Sequence, residues 1–225
     1  MVEQKQNLVL VSIHQQGLPT IKMVTEAGLI GKIGLNSRGV GVCFNAIRAK
    51  GLDATRLPVH LGLRVVLESP SAYEAVETLQ KLGMASSAHM LIADASGAIG
   101  LEFTSSTFAR LQMDSHHRVY HSNHLLVEHP GMDEPEWLRD SKFRVDRIKE
   151  LTAHLDVKST QPSWADFGKL FEDEENHPSA ICRLEDTPGS TETLFNIVMD
   201  LEEKRAVVRL GRPCQSEETL HLSFK

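Results

Sequence analysis

Short runs of alternating apolar and polar residues recur along this chain and predict β-strands, grouped into blocks by two regions with helical spacing. Strands are expected at residues 8–13, 20–25, 88–93, 99–104, 108–113, 118–121, 193–200, 206–210 and 219–224, with two more inside 26–47. Helices are expected at residues 57–67, 72–82, 139–155 and 163–171. Hairpins rather than single crossover helices join the strands, which predicts an α+β fold with largely antiparallel sheets.

Two helix starts have recognisable capping residues. Ser71 stands three residues before Glu74, a spacing typical of a capping box, and the helix that follows ends at Gly83, a residue suited to a C-terminal cap. Ser163 precedes Trp164 in the same way at the start of a shorter helix. These residues fix the expected helix boundaries.

The hairpin within residues 26–47 is the stretch around which the chain is organised. Its turn is expected at residues 36–39, and its second strand alternates two sets of side chains. One set, expected to face a hydrophobic core, is Val40, Val42, Phe44 and Ala46. The other set, expected to point the opposite way, is Gly41, Cys43 and Asn45. Periodicity leaves two interpretations open, a substrate-facing sheet surface and a core hairpin softened by glycine.

Composition narrows the class of protein. The 225 residues, 41% of them apolar, are enough for one domain covering residues 1–225. A net charge of -6 argues against a nucleic-acid partner, and no apolar run approaches the roughly 20 residues that cross a bilayer. The three scattered cysteines fit a reducing compartment. The N-terminal MVEQKQN is not a signal sequence and the C-terminal LSFK is not a peroxisomal address, so we expect a cytoplasmic protein.

Candidate chemistry is sparse outside one histidine-rich region. His121 and His124 have a spacing that zinc sites use, but no cysteine or acidic partner follows in register, so we predict no metal site. Asn123 lies between them, and its amide either donates to a developing oxyanion or simply forms a turn. The chain contains none of the glycine-rich phosphate-binding motifs and no G-x-S-x-G nucleophile motif.

A series of ordered segments resembles a known family across nearly the whole chain. They include GLPTIKMVTEAGLIGKIGLNSRGVGVCFNAI, HLGLRVVLESPSAYEAVETL, GMASSAHMLI, GLEFTSS, HSNHLL, SAICR, TLFNIVMD and VVRLGRP. In this order they resemble the fungal acyl-coenzyme A:6-aminopenicillanic acid acyltransferase (isopenicillin N acyltransferase) family. The resemblance implies the N-terminal nucleophile hydrolase architecture, in which two antiparallel sheets lie between helices in four αββα layers.

The resemblance also implies a chemistry. Members expose an N-terminal cysteine that attacks an amide or thioester carbonyl and passes the acyl group to an amine, through a thioester intermediate. Asn123 matches the family's oxyanion-supporting asparagine, Thr104 takes the place of a serine, and Asn45 and Ala46 line the cleft. Cys43, Asn123 and Thr104 are therefore the catalytic candidates, with Gly41, Asn45, Ala46, His121 and Ser190 as substrate contacts. A small-molecule substrate of secondary metabolism is implied, with acyl-coenzyme A as a co-substrate and no resident cofactor.

The chain departs from the family pattern at several points. The family's nucleophilic cysteine and an active-site aspartate precede the part that this chain matches, Ser190 stands near the family's active-site arginine, and Cys43 replaces an asparagine. Three hypotheses follow. In the first, this is the greater part of an acyltransferase or amidohydrolase whose nucleophile segment was removed or is supplied separately. In the second, Cys43 supports a new cyclase, lyase or isomerase chemistry, and in the third the protein is a non-catalytic binding subunit. The expected partners are a separate nucleophile-bearing segment or a second copy of the chain in a homodimer.

Overall fold

The computed structural model describes residues 6–156, 162–187 and 190–224, which form two β-sheets and four α-helices. The strands are β1 (Leu8–Ile13), β2 (Ile21–Glu26), β3 (Ile33–Asn36), β4 (Gly41–Ala46), β5 (Ala88–Asp94), β6 (Gly97–Phe103), β7 (Phe108–Leu111), β8 (Phe195–Asp200), β9 (Arg205–Leu210) and β10 (Glu218–Ser223). The helices are α1 (Val59–Glu68), α2 (Ala72–Leu82), α3 (Ser141–Asp156) and α4 (Trp164–Leu170).

Both sheets are antiparallel. The larger sheet is a meander in which β1 to β7 pair in chain order, and the smaller sheet has the order β10-β9-β8. Sequential hairpins require only short connections, whereas parallel strands would need crossover helices. The predicted α+β class with antiparallel sheets is confirmed.

Two hydrophobic cores divide the chain into four layers. The first lies between the larger sheet and the helices α1 and α2, where Val42, Leu63, Leu79 and Met90 are fully buried. The second lies between the two sheets, where Val24 and Leu35 of the larger sheet meet Val208 of the smaller one. Helix α4 packs against β8, and α3 contacts α4. The layers are thus helix, sheet, sheet and helix, the expected αββα arrangement.

The central hairpin has the predicted facing. Val40 and Val42 lie in the core beneath the helices and Phe44 packs against it. Gly41 faces the smaller sheet instead, and a Cβ on it would lie 2.6 Å from a methyl of Leu201. The glycine therefore permits the two sheets to approach at this point, which favours the core-hairpin interpretation at Gly41.

The predicted caps are also present. The Ser71 hydroxyl accepts a hydrogen bond from the Glu74 amide at 3.2 Å, and Gly83 ends α2 with a positive φ of 72°. Ser163 and Asp166 form a complete capping box at α4. Helix α3 begins at Ser141, two residues later than the pattern predicts, after a hydrogen bond from the Ser141 amide to the Leu138 carbonyl.

One predicted strand is wrong. Residues 118–121 are not a strand, although they follow β7 closely. The Asp114 amide donates to the Arg118 carbonyl across a turn, and further along Tyr120 and His121 are held by their side chains, through Thr152 and Glu102. Side-chain hydrogen bonds replace the ladder there.

Within the part of the chain that the structure describes, no helix is both long and apolar enough to cross a bilayer. Residues 1–5 and Lys225, on which the expectation about terminal signals partly rests, lie outside the described residues, as does Gly189 beside Ser190.

Candidate active site

Asn123 lies where the segment after β7 crosses the end of β4. Its Nδ2 donates to the Ala46 carbonyl at 2.9 Å, and its Oδ1 accepts from Nη2 of Arg144 at 2.9 Å. Its backbone amide donates to the Ser141 hydroxyl at 2.7 Å. A carboxamide has two N–H groups, so a second donor remains on Nδ2 besides the one that Ala46 accepts. The amide is thus held in one orientation, with its donor end at the edge of the sheet.

A charged cluster supports Asn123 from behind. Nε of Arg144 donates to Asp140 at 2.6 Å, and Arg183 also pairs with Asp140, so two guanidinium groups share one carboxylate. Burial lowers the pKa of Arg144, as does the nearby Arg183, while Asp140 opposes the change. The cluster carries a net positive charge beside Asn123, and such a charge favours an oxyanion formed there.

His124 and Ser141 lie next to Asn123 and line the same cavity of about 200 Å³. The Ser141 hydroxyl accepts from the Asn123 amide and also forms a hydrogen bond with Nδ1 of His124, 2.7 Å away. Burial lowers the pKa of His124, and the charge of His121 lowers it further. A neutral His124 is therefore the group in this cavity that is best suited to proton transfer.

A buried carboxylate holds the segment that carries Asn123. Glu102 of β6 is fully buried and accepts from Nε2 of His121 at 2.7 Å and from the backbone amides of Leu126 and Val127 at 2.7 and 3.1 Å. Nε2 of His129 lies 3.3 Å from its other oxygen. Burial raises the pKa of Glu102, but the hydrogen bonds from His121 and the two amides outweigh burial and leave it below its usual value. The carboxylate is thus ionised.

His121 is the cationic partner of Glu102 and lies against a second histidine. Its Nδ1 is 2.7 Å from the Ser122 carbonyl and its Nε2 faces Glu102, so hydrogen bonds to both acceptors require a proton on each nitrogen. The ring of His89 stacks on it at 3.6 Å with 8° between the planes. With both nitrogens bonded and 2% of its side chain exposed, His121 has no nitrogen open to a substrate in this arrangement.

His89 is held neutral and connects this stack to β4. Its Nδ1 lies 3.0 Å from Oδ1 of Asn45, and burial, helped by the charge of His121, lowers its pKa to about 2. Nε2 of His89 is buried without a hydrogen-bond partner among the described residues. Gly100 leaves the room for it, since a Cβ on Gly100 would lie 2.9 Å from Nε2. Asn45, predicted to contact substrate, is instead engaged with this histidine.

The stability of the protein is expected to fall in mild acid because of His89. An unfolded histidine takes up a proton near pH 6.5, whereas His89 in the folded protein remains neutral to about pH 2. The contribution of His89 to the free energy of unfolding is therefore complete above about pH 6.5. Below that pH it is lost at about 1.4 kcal/mol per pH unit. Glu102, whose pKa is also lowered, adds to the loss only below its ordinary value of 4.5.

Urea unfolding at pH 7, 6 and 5 measures this loss, and His89→Gln, which retains a donor for Asn45, is the matched variant. We expect the slope between pH 6 and pH 5 to be shallower by about 1 kcal/mol per pH unit in the variant. Equal slopes in the two proteins would show that His89 is not the group responsible.

Cys43 lies in a different cavity from Asn123. With Gly41, Phe167, Phe171 and Met199 it lines an apolar space of about 230 Å³ between the two sheets. Burial raises the pKa of its thiol to about 11, so about one molecule in ten thousand carries the thiolate at pH 7. Cys43 is thus a partly exposed thiol without an activating partner among the described residues, rather than an activated nucleophile.

Thr104 and Ser190 have structural contacts. The Thr104 hydroxyl accepts from the Ser106 and Thr107 amides at 3.2 and 3.0 Å, which closes the turn after β6, and Thr104 is fully buried. Ser190 accepts from the amides of Asp186 and Thr187 in a local turn. Neither hydroxyl has a described contact with Asn123.

The predicted site residues thus fall into separate places. Asn123 and Ala46 are in direct contact, Asn45 and His121 meet through His89, Gly41 and Cys43 share the inter-sheet cavity, and Thr104 and Ser190 form turns. Among the described residues, no three histidine, cysteine or acidic side chains are placed to hold a metal ion.

Three residues of the networks that hold Asn123 and its segment escaped the sequence pattern: Glu102, Arg144 and Arg183. The sequence contains a signal for Glu102, because a single carboxylate stands between the apolar residues Leu101 and Phe103 within a predicted strand. All three side chains are buried in the structure. Nothing in the spacing indicates which acceptor Arg144 or Arg183 reaches.

Comparisons with known proteins agree with this architecture. Residues 1–215 match the family model described as "Acyl-coenzyme A:6-aminopenicillanic acid acyl-transferase". The chain is 44% identical over 223 residues to the "Acyl-coenzyme A:6-aminopenicillanic-acid-acyltransferase 40 kDa form" of Emericella nidulans. The match covers 98% of this chain and 61% of the relative, so the chain spans less than two thirds of the relative's length.

Two solved structures share the fold at low identity. Penicillin V acylase from Agrobacterium tumefaciens superimposes with a TM-score of 0.56 and 12% identity, covering 96% of this chain and 75% of the acylase. The Caenorhabditis elegans ortholog of N-acylethanolamine-hydrolyzing acid amidase gives a TM-score of 0.59 and 13% identity, covering 98% of this chain and 89% of that chain. The N-terminal nucleophile hydrolase fold, expected from the sequence, is confirmed.

Proposed function

The chain belongs to the acyl-coenzyme A:6-aminopenicillanic acid acyl-transferase family, and from this membership we propose that it supplies the oxyanion-binding part of an acyl-transfer or amide-hydrolysis site. The substrate is a β-lactam or peptide-derived natural product, and acyl-coenzyme A is the acyl donor. The observation that carries the proposal is the fixed carboxamide of Asn123, held by Ala46 and Arg144 with one N–H still available.

In the proposed reaction a nucleophile attacks the amide or thioester carbonyl, and negative charge develops on the carbonyl oxygen. The free N–H of Asn123 donates to this oxygen, and the positive cluster of Arg144, Asp140 and Arg183 stabilises the charge. His124 transfers a proton in the same cavity, either to the leaving group or from the incoming amine. Because Asn123 is already oriented before substrate binds, no reorganisation is needed as the charge forms.

The attacking thiol is proposed to come from a segment other than the described residues. Cys43 has a raised thiol pKa and does not line the cavity of Asn123. Cys182 is buried, and burial also raises the pKa of Cys214. Neither Cys43 nor Cys214 has the depressed pKa that activates a cysteine nucleophile. These observations favour a separate nucleophile-bearing segment over the hypothesis of a new Cys43 chemistry.

Co-expression tests the proposal. The chain is produced alone and together with the part of the Emericella relative that it does not span, and each preparation is incubated with an acyl-coenzyme A and 6-aminopenicillanic acid. We expect acylated product only from the combination. Acylated product from the chain alone that is lost in Cys43→Ala would show that Cys43 is the nucleophile and would contradict the proposal. Ligand-induced thermal stabilisation without turnover in either preparation would support a binding subunit.

A further inference from the structure

Cys182 and Cys214 lie side by side far from Cys43 in the chain. Their sulfur atoms are 3.0 Å apart, about 1 Å more than the S–S bond of about 2.05 Å. Cys182 lies between α4 and β8 in the chain, and Cys214 lies in the short 3-10 helix Pro213–Gln215 between β9 and β10. No role in the proposed acyl transfer uses either thiol.

The backbone fixes both cysteines in this position. The Cys182 amide donates to the Asp173 carbonyl at 2.8 Å, and the Gln215 amide donates to the Arg212 carbonyl at 2.8 Å beside Cys214. Arg212 joins the two segments, because its Nε donates to the Arg183 carbonyl at 3.1 Å. The approach of the two sulfurs is therefore built into the packing of two segments and does not depend on one mobile side chain.

We propose that Cys182 and Cys214 form a reversible disulfide by exchange with a low-molecular-weight disulfide such as oxidised glutathione. Cys182 is fully buried and Cys214 is partly accessible, so Cys214 reacts first. Its thiolate attacks one sulfur of the reagent, which forms a mixed disulfide and releases the first thiolate. Cys182 then loses its proton to solvent and attacks Sγ of Cys214, which releases the second. One reagent disulfide becomes two thiols while two protein thiols become one disulfide, so electrons and protons balance.

The surroundings of Cys214 predict slow exchange at neutral pH. Burial, together with the neighbouring Cys182 thiol, raises the pKa of Cys214 to about 12, although the charge of Arg212 opposes the change. Since only the thiolate attacks, the rate should rise nearly tenfold per pH unit between about pH 7 and pH 9. A pair of this kind responds to sustained oxidation rather than to brief exposure.

The disulfide would connect to the candidate active site through Arg183. This residue follows Cys182 directly and pairs with Asp140, which also pairs with Arg144, the partner of Asn123. Cross-linking residues that are 32 positions apart also restricts the unfolded chain. We expect the oxidised protein to unfold at a temperature about 5–10 °C higher than the reduced protein.

The test uses Cys43→Ala as background, so that the pair supplies both remaining thiols. After incubation with oxidised glutathione, intact-mass analysis should show a protein lighter by two hydrogen atoms, and a non-reducing digest should link the peptides of Cys182 and Cys214. Two further variants retain a single thiol. Cys43→Ala/Cys182→Ala should keep a stable glutathione adduct on Cys214, whereas Cys43→Ala/Cys214→Ala should remain unmodified while folded.

The guanidinium-unfolded Cys43→Ala protein serves as the positive control for oxidation. If the folded protein keeps one or two glutathione adducts, or still has both thiols free at pH 9 after about a thousand times the period in which the unfolded control oxidises fully, the proposal is overturned. The outcome is independent of acyl transfer, because mass alone is measured.

Discussion

Glu102→Ala is expected to lower the free energy of unfolding by about 3–5 kcal/mol. The carboxylate is fully buried and accepts hydrogen bonds from His121 and from the backbone amides of Leu126 and Val127. Its removal leaves the charge of His121 unpaired in the interior and leaves two amides without an acceptor. Removal of one partner from a buried ion pair costs far more than loss of an exposed pair, because the remaining charge is no longer solvated.

The matched control is Glu77→Ala, which removes a carboxylate that is 50% exposed and pairs with Arg110. We expect that change to stay within about 1 kcal/mol. Urea unfolding of both variants at pH 7 measures the difference. A Glu102→Ala protein as stable as Glu77→Ala would mean that the buried network does not hold the segment after β7 in place.

Asn123→Ala is expected to reduce kcat for acyl transfer by about 10²–10³-fold in the preparation that contains the nucleophile segment, with little change in KM. The lost N–H donor acts on the oxygen of the transition state more than on that of the bound substrate, so the effect appears in kcat. The hydrogen bond from the backbone N–H of residue 123 to Ser141 does not require the side-chain carboxamide, so we expect the variant to fold.

Asn7→Ala is the control for this experiment, because Asn7 is an exposed asparagine whose described hydrogen bond, from the Ala27 amide, uses its backbone carbonyl. Its kcat should equal that of the unmodified chain. Steady-state kinetics give kcat for both variants, and their thermal unfolding midpoints verify that both are folded. Equal kcat for a folded Asn123→Ala protein would remove Asn123 from the reaction.

Local sequence signals predicted most of the fold. The alternation of Val40, Gly41 and Val42 decided the facing of β4, and Ser71 and Ser163 located two helix starts. These features depend on neighbours within a few residues, and the physics of caps and strand alternation operates at that range. The four-layer arrangement came from the family resemblance rather than from spacing.

The candidate site was less predictable because its contacts join distant positions. Glu102 and Leu126 are 24 residues apart, and Asn123 and Ala46 are 77 residues apart. The sequence made Cys43 and Asn123 joint catalytic candidates, but Cys43 faces the smaller sheet while Asn123 contacts the end of β4. The spacing of residues along the chain does not indicate which distant segments come into contact.

The central claim is that the described residues supply the oxyanion donor and that the attacking thiol belongs to another segment. Intact-mass analysis of the co-expressed preparation, quenched during exposure to acyl-coenzyme A, measures where the acyl group is attached. We predict a thioester on the supplied segment and no acyl group on this chain. The amount of thioester should be the same whether the chain is unmodified or carries Cys43→Ala. An acyl group on Cys43 would contradict the account.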